Sequence, residues 1–141
     1  MQSTSADHEL ATRLRLVLAR SARRLRQAAG TDLSPSLTAA LATVERHGPL
    51  TPSELATRER VQRPTVTRLV CRLDEAGLVT RAADPADGRS SLISVTPAGR
   101  ALLAAGRTRK DAFLSERLDA LGPEDSATLE RAAALLEGML E

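Results

Sequence analysis

The chain has 141 residues, and its 20 Lys and Arg residues exceed its 18 Asp and Glu residues by two, a formal net charge of +2. This length suits one compact domain, or one domain with dimerising extensions, and excludes a two-domain nucleotide-binding enzyme or a barrel. One cysteine, Cys71, excludes a disulfide scaffold and a multi-cysteine zinc site. No stretch approaches 18 apolar residues and residues 1–5 do not resemble a signal peptide, so we expect a soluble cytoplasmic protein with no membrane partner.

The first third of the sequence predicts two helices. Ala (24) and Leu (23) together make up a third of the chain, which favours a helix-dominated fold. Residues 7–28 form the first predicted helix, because five aliphatic residues recur on one stripe at helical spacing: Leu10, Leu14, Val17, Leu18 and Leu25. Residues 13–26 also carry six arginines and no acid. The second predicted helix begins near Ser34-Pro35, an N-cap followed by a first-turn proline, and ends at His47.

The middle of the chain predicts two further helices separated by a short turn. Thr51 and Glu54 have the spacing of a capping box, in which the hydroxyl and the carboxylate each accept a backbone N–H at the helix start. This short helix extends to residue 57 or 58, and Gln62-Arg63-Pro64 opens the next, since proline is tolerated in a first turn. Gly77 is placed to end that helix in the left-handed conformation. In the helix that opens at Gln62-Arg63-Pro64, the core-facing residues are Val66, Leu69, Val70 and Leu73.

A β-hairpin is predicted next, and two helices follow it. Residues 78–82 and 90–95 are short stretches that favour strands, and the segment between them contains Asp-Gly, a strong turn signal because Gly88 can adopt a positive φ. Thr96-Pro97 caps a long helix, and Gly122-Pro123 separates it from the last one. The predicted fold is therefore mainly α with a small β-hairpin.

The second helix of the central pair carries a polar face that suits DNA. A turn of 100° per residue places four residues opposite the core stripe and three beside them: Pro64, Arg68, Cys71 and Glu75, flanked by Thr65, Thr67 and Arg72. In a major groove, Arg can hold guanine O6 and N7 with two hydrogen bonds, and Thr offers a hydroxyl and a methyl group. The alternative is an ordinary solvated helix face.

The turn of the hairpin carries a second candidate contact. An arginine at a loop tip, such as Arg89, can enter a narrow minor groove, where the negative potential is enhanced. Asp87 lies two residues before it and could hold the guanidinium in a fixed pose. The alternative is a surface ion pair worth about 0–1 kcal/mol.

Three segments together resemble the MarR family of bacterial transcription regulators. Residues 84–99 (DPADGRSSLISVTPAG) resemble the wing signature of that family. Residues 63–70 (RPTVTRLV), with Leu73 and residues 77–79 (GLV), resemble its recognition helix and the exit from it. Residues 50–56 (LTPSELA) resemble the start of the preceding helix. Gln62 departs from the pattern, because a serine cap is commoner there.

The resemblance implies a homodimer with two winged helix-turn-helix lobes that bind double-stranded DNA at a pseudo-palindrome. The expected DNA-binding residues are Arg63, Pro64, Thr65, Thr67, Arg68, Arg72, Asp87 and Arg89. Among them, Arg89 enters the minor groove and Asp87 orients it. The family also implies an effector pocket between the dimer helices and the lobes, and we expect a small amphipathic ligand with an anionic end, paired by an arginine of residues 13–26.

A dimer is also expected from the apolar stripes alone. Residues 10–25, 103–121 and 129–140 carry stripes that one small lobe cannot cover. Pairing of two copies would bury them and set two recognition helices about 34 Å apart, one turn of DNA. We therefore assign residues 33–97 to a DNA-binding lobe, and residues 7–30 and 100–141 to dimerisation helices.

The expected function is sequence-specific regulation of transcription, by a nucleoid-associated repressor that a ligand releases. Activation rather than repression stays open, as does an interaction module whose winged helix docks protein rather than DNA. We expect no enzyme, metal or cofactor, since the chain has neither a phosphate-loop motif nor metal-ligand spacing. Cys71 is either an incidental small residue or a thiol whose oxidation disturbs DNA docking.

Overall fold

The computed structural model describes the backbone of residues 2–141 and the side chains of residues 4–141. Met1, part of the segment examined above for a signal peptide, lies outside the described residues. The described elements are helices α1 (Gln2–Ala28), α2 (Pro35–His47), α3 (Pro52–Glu59) and α4 (Arg63–Glu75), strands β1 (Val79–Ala83) and β2 (Ser91–Val95), and helices α5 (Pro97–Asp119) and α6 (Pro123–Leu140). The predicted fold class, mainly helical with one hairpin, is confirmed.

Short-range signals in the sequence set three helix starts and one helix end. The hydroxyls of Ser34, Thr51 and Thr96 each accept the backbone N–H three residues later, at 3.2, 3.2 and 3.0 Å. Each cap is followed by a proline in the first turn, whose missing N–H costs nothing there. Gly77 has a φ of 73°, as predicted, and the N–H of Leu78 reaches the carbonyl oxygen of Leu73 at 2.9 Å.

Strands β1 and β2 form an antiparallel hairpin, with Val79 paired to Val95 and Ala83 to Ser91. Leu50, just before α3, adds an isolated bridge to Ile93, through two backbone hydrogen bonds of 3.0 and 2.7 Å. This bridge fastens the start of α3 to the hairpin. No local pattern in the sequence predicts this bridge, because it pairs one residue with another more than forty positions away.

The hydrophobic core lies within the lobe formed by α2, α3, α4, the hairpin and the start of α5. Its most deeply buried large side chains are Leu41, Val44, Leu55, Val66, Leu73, Val79 and Ile93. The predicted inward stripe of α4 is confirmed, with Leu69 only partly buried at its edge. Burial of one face of α4 fixes which face the helix presents to solvent.

Helices α1, α5 and α6 lie mostly outside this core. Helix α1 packs on α5, where Arg24 of α1 lies 5.5 Å from the Phe113 ring centroid and the Arg109 guanidinium donates to the carbonyl oxygen of Ala29, just after α1, at 2.9 Å. Among the described residues, every exposed large hydrophobic side chain belongs to these helices or to the turn between α5 and α6: Leu10, Leu16, Val17, Leu18, Leu114, Leu118, Leu121, Leu129, Leu135, Met139 and Leu140.

Two local expectations were wrong. Helix α1 begins at Gln2 rather than at residue 7, because Ser, Thr and Ala in the first turns are compatible with a helix even without a stripe. Gly88 does not have a positive φ; among the described glycines, only Gly30 and Gly77 do. Within residues 2–141, we find no helix with the length and apolar character needed to cross a membrane.

Candidate nucleic-acid interface

The outward face of α4 carries the predicted side chains. Arg63, Pro64, Thr67, Arg68 and Arg72 are exposed, and Thr65 is half-buried. Pro64, Arg68 and Arg72 lie opposite the buried stripe of α4, so the hydrophobic core turns these three side chains toward solvent. The structure thus brings six of the eight predicted residues together on one helix.

The first turn of α4 is held by its neighbour α3. Gln62 occupies the N-cap and makes no side-chain hydrogen bond to the helix, as its departure from the usual serine suggested. The Arg63 guanidinium instead donates to Ser53 Oγ on α3. This contact links the two helices at the point where α4 begins.

Two threonines on α4 have different hydrogen-bonding capacities. The Thr67 hydroxyl donates to the carbonyl oxygen of Arg63 at 3.1 Å. Its proton is therefore already used, and a DNA base could meet only the oxygen as an acceptor and the methyl group. Thr65 Oγ1 lies 3.5 Å from Arg68 Nη2, a long contact that loosely steers the guanidinium along the helix. A groove of about 270 Å³ beside them is lined by Ser34, Ser36, Leu37, Thr65, Arg68, Leu69 and Arg72.

The hairpin tip holds Arg89 exposed, but not in the predicted way. The Asp87 carboxylate does not pair with the Arg89 guanidinium; its Oδ1 accepts the backbone N–H of Arg89 at 3.0 Å. The carbonyl oxygen of Asp87 also accepts the N–H of Ser90 at 3.0 Å, which closes the turn. A backbone N–H two residues away is a nearer partner than a guanidinium on a flexible chain. Asp87 therefore shapes the turn and leaves the guanidinium free.

An ion pair that sequence analysis missed joins the hairpin to α4. Arg81 on β1 donates to the Asp74 carboxylate on α4 at 2.8 Å, with both side chains partly exposed. The hydrogen bond to Asp74 and the charge of its carboxylate raise the pKa of Arg81, and the neighbouring Cys71 thiol adds a smaller effect in the same direction. Opposite charges at the two sides of the Gly77 turn were the signal available in the sequence.

The half-buried Cys71 lies on the flank of α4 beside Arg81 rather than at the centre of the exposed face. No cluster of three potential metal ligands occurs among the described residues.

Comparison with known proteins gives the same picture. The MarR family model matches residues 33–91. HTH-type transcriptional regulators of Mycobacterium tuberculosis and Mycobacterium leprae are each 37% identical to this chain over 137 residues, which is 96% of either sequence.

Solved structures have the same fold. A Pseudomonas aeruginosa protein described as a transcriptional regulator is 31% identical, with a TM-score of 0.87 over 96% of both chains. A MarR family protein from Bacillus stearothermophilus is 25% identical, with a TM-score of 0.79 over 99% of this chain and 97% of the other. A mutant of Staphylococcus aureus MepR bound to an oligodeoxyribonucleotide shares the fold, with a TM-score of 0.73 over 94% and 98% of the two chains, at 20% identity.

The helix-turn-helix, the hairpin and these near-full-length matches agree. The chain belongs to the MarR family of helix-turn-helix transcriptional regulators.

Proposed function

We propose that the protein is a homodimeric repressor that binds pseudo-palindromic operators and is released by a small ligand. The observation that carries the DNA-binding part is the joint presentation of α4 and the hairpin by one rigid lobe. The Asp74–Arg81 pair fixes one element to the other, and each presents exposed arginine to solvent. The Staphylococcus aureus protein MepR, whose fold is similar, is bound to an oligodeoxyribonucleotide in one of its structures.

The position of the hydrophobic core indicates which residues bind DNA and which form the dimer. Residues 33–97 contain nearly all of the core and form the DNA-binding lobe. Residues 7–30 and 100–141 belong to helices with large exposed apolar side chains, including Leu135 at 66% and Met139 at 70% exposure. Stable soluble monomers rarely leave such a surface open, and a second copy related by a two-fold axis covers it with the same surface.

The eight residues named from the sequence form the proposed interface. On α4, Arg68 and the threonines contact base edges, while Arg63 and Arg72 contact phosphates. On the hairpin, Arg89 enters the minor groove, and Asp87 acts by shaping the turn.

The test is the salt dependence of DNA binding. DNA fragments that co-purify with the protein from sheared genomic DNA are labelled with a fluorophore. They are then titrated with the protein at increasing salt concentrations. Because phosphate contacts release counterions, we expect the logarithm of the association constant to fall steeply and linearly with the logarithm of the salt concentration. If the protein shows no salt-dependent affinity for DNA, the result would favour the rival function, a winged helix that docks protein.

An effector would occupy the cleft between the helices and the lobe. This cleft of about 450 Å³ is lined by Leu33, Leu78 and Leu102 and by two charged side chains, Asp32 and Arg109, among others. Of the arginines in residues 13–26, Arg26 lines a pocket of only about 40 Å³, far smaller than this cleft. Arg109 is therefore the cation we assign to the anionic end of the ligand.

Matched probes test this assignment by thermal shift: phenylacetate, phenylacetamide and phenethylamine. Stabilisation by the carboxylate alone is expected. Stabilisation by only the neutral or cationic probe would contradict an anionic effector.

A further inference from the structure

The turn between α3 and α4 contains an arginine, Arg60, in a backbone conformation that residues other than glycine rarely adopt. Arg60 has a φ of 55° and a ψ of 44°, the left-handed region. Among the described residues it is the one non-glycine with a positive φ. Its backbone N–H closes α3 by reaching the carbonyl oxygens of Ala56 and Thr57. A glycine could make the same backbone hydrogen bonds without strain, so folding alone gives no reason for an arginine.

The side chain of Arg60 lines a cationic cleft. This cleft of about 390 Å³ is lined by Ser53, Ala56, Thr57, Arg60, Val61, Gln62 and Arg63. These residues carry two guanidinium groups, one amide and two hydroxyls, and none of them carries a carboxylate. The Thr57 hydroxyl already donates to the carbonyl oxygen of Ser53, and one N–H of Arg63 donates to Ser53 Oγ. The nearest acid in sequence, Glu59, is directed to α2, where its carboxylate accepts from the Thr43 hydroxyl. Such a donor set suits an oxyanion.

We propose that this cleft holds a backbone phosphate of DNA where α4 enters the major groove, with Arg60 as its contact. The inference rests on the proposed DNA-binding function and adds a residue to it. Arg63, which shares the cleft, begins α4 and is tied to Ser53, so the cleft keeps a fixed position relative to the bases that α4 contacts. A phosphate bound there sets the depth and register of the helix in the groove without reading sequence.

Replacing Arg60 separates folding from binding, because the two respond in opposite directions. Arg60→Gly removes the left-handed strain, so the melting temperature should rise by about 2–4 °C. The same change removes one phosphate contact per lobe. The slope of log K against log salt should therefore decrease in magnitude by about 1.8 per dimer. If the affinity extrapolated to 1 M salt is unchanged, this smaller slope makes binding at 0.1 M salt up to about 60-fold weaker.

Two matched variants complete the experiment. Arg60→Lys keeps the charge and should keep the wild-type slope. Arg131→Ala removes an exposed arginine from α6, outside the DNA-binding lobe, and a variant that stays dimeric in analytical ultracentrifugation should also keep the wild-type slope.

Each contrary outcome has a distinct meaning. An Arg60→Gly protein that is more stable but binds DNA with the wild-type slope overturns the phosphate contact. A fall in both stability and affinity would assign Arg60 a structural role and also overturns it. Saturable stabilisation by inorganic phosphate that needs Arg60, with unchanged DNA binding, would assign the cleft to a free anion. A wild-type protein that shows no salt-sensitive DNA binding removes the proposed function itself, whatever the variants do.

Discussion

Arg68 and Arg89 are both exposed, yet the DNA contacts proposed for the two side chains would carry different information. Arg68 lies in the second turn of α4, where a guanidinium can distinguish guanine from other bases by two hydrogen bonds. Arg89 lies at the hairpin tip, where a guanidinium senses the width and potential of a minor groove rather than base identity.

Alanine at either position should therefore weaken binding in a different pattern. Arg89→Ala should weaken binding to many DNA sequences alike. Arg68→Ala should cost about 1–3 kcal/mol and relax the preference at one base pair in each half-site. Fluorescence anisotropy with a panel of single-base variants of one bound fragment measures both. Unchanged affinity in both variants would remove these residues from the interface.

The role of Asp87 is testable by comparing two neutral replacements. Asparagine retains an oxygen that can accept the Arg89 N–H, whereas alanine does not. Asp87→Asn should bind DNA at least as tightly as the wild type, and Asp87→Ala should bind several-fold more weakly than the asparagine variant. Since both variants lose the charge, equal affinities for DNA would mean that the turn hydrogen bond does not matter.

At the scale of elements, one exposed ion pair adds to the shared hydrophobic core in holding α4 and the hairpin together. Such a pair contributes only about 0–1 kcal/mol to stability, because water screens both charges. Its larger effect is on orientation, since Arg81 and Asp74 restrain the hairpin relative to the helix. A second exposed pair, Arg107–Glu45, joins α5 to α2 at the same distance of 2.8 Å and provides an internal comparison.

Asp74→Asn distinguishes orientation from simple electrostatics by the sign of its effect. Removing an acid from a DNA-binding surface should tighten binding if only charge matters. We expect the opposite, a several-fold loss of affinity with less than about 1 kcal/mol lost in stability, because the hairpin loses its restraint. Glu45→Gln should show a similar stability change and unaltered DNA binding. Tighter binding by Asp74→Asn would contradict the orienting role.

At the scale of the whole molecule, the apolar surface of the outer helices is the surface that the proposed dimer would bury. Helix α6 has no buried residue among those described, although its sequence is rich in Leu and Ala. A helix of this kind is stabilised when a partner covers its apolar side chains.

Leu135→Glu should convert the dimer to a monomer, because it places a charge in the covered surface. Ala134→Glu, an exposed position on the polar face of α6 that also carries Glu130 and Glu137, adds the same charge and should leave the proposed dimer intact. Analytical ultracentrifugation measures the assembly, and binding to full and half operators measures the consequence. A dimer that survives Leu135→Glu would place the contact elsewhere.

The sequence by itself determined the local elements and the family. Helix starts at Ser34, Thr51 and Thr96 and the end at Gly77 depend on residues within three or four positions of one another. The inward stripe of α4 depends only on helical period, so its outward arginines and threonines followed directly.

Only the tertiary structure decided the relations between these elements. The Leu50 bridge to Ile93, the Asp74–Arg81 pair and the contact of Arg109 with Ala29 join residues on different elements. It also decided between partners of similar chemistry, since Asp87 accepts a backbone N–H instead of the guanidinium beside it. Such outcomes depend on the geometry of the packed lobe, which no pattern of neighbouring residues contains.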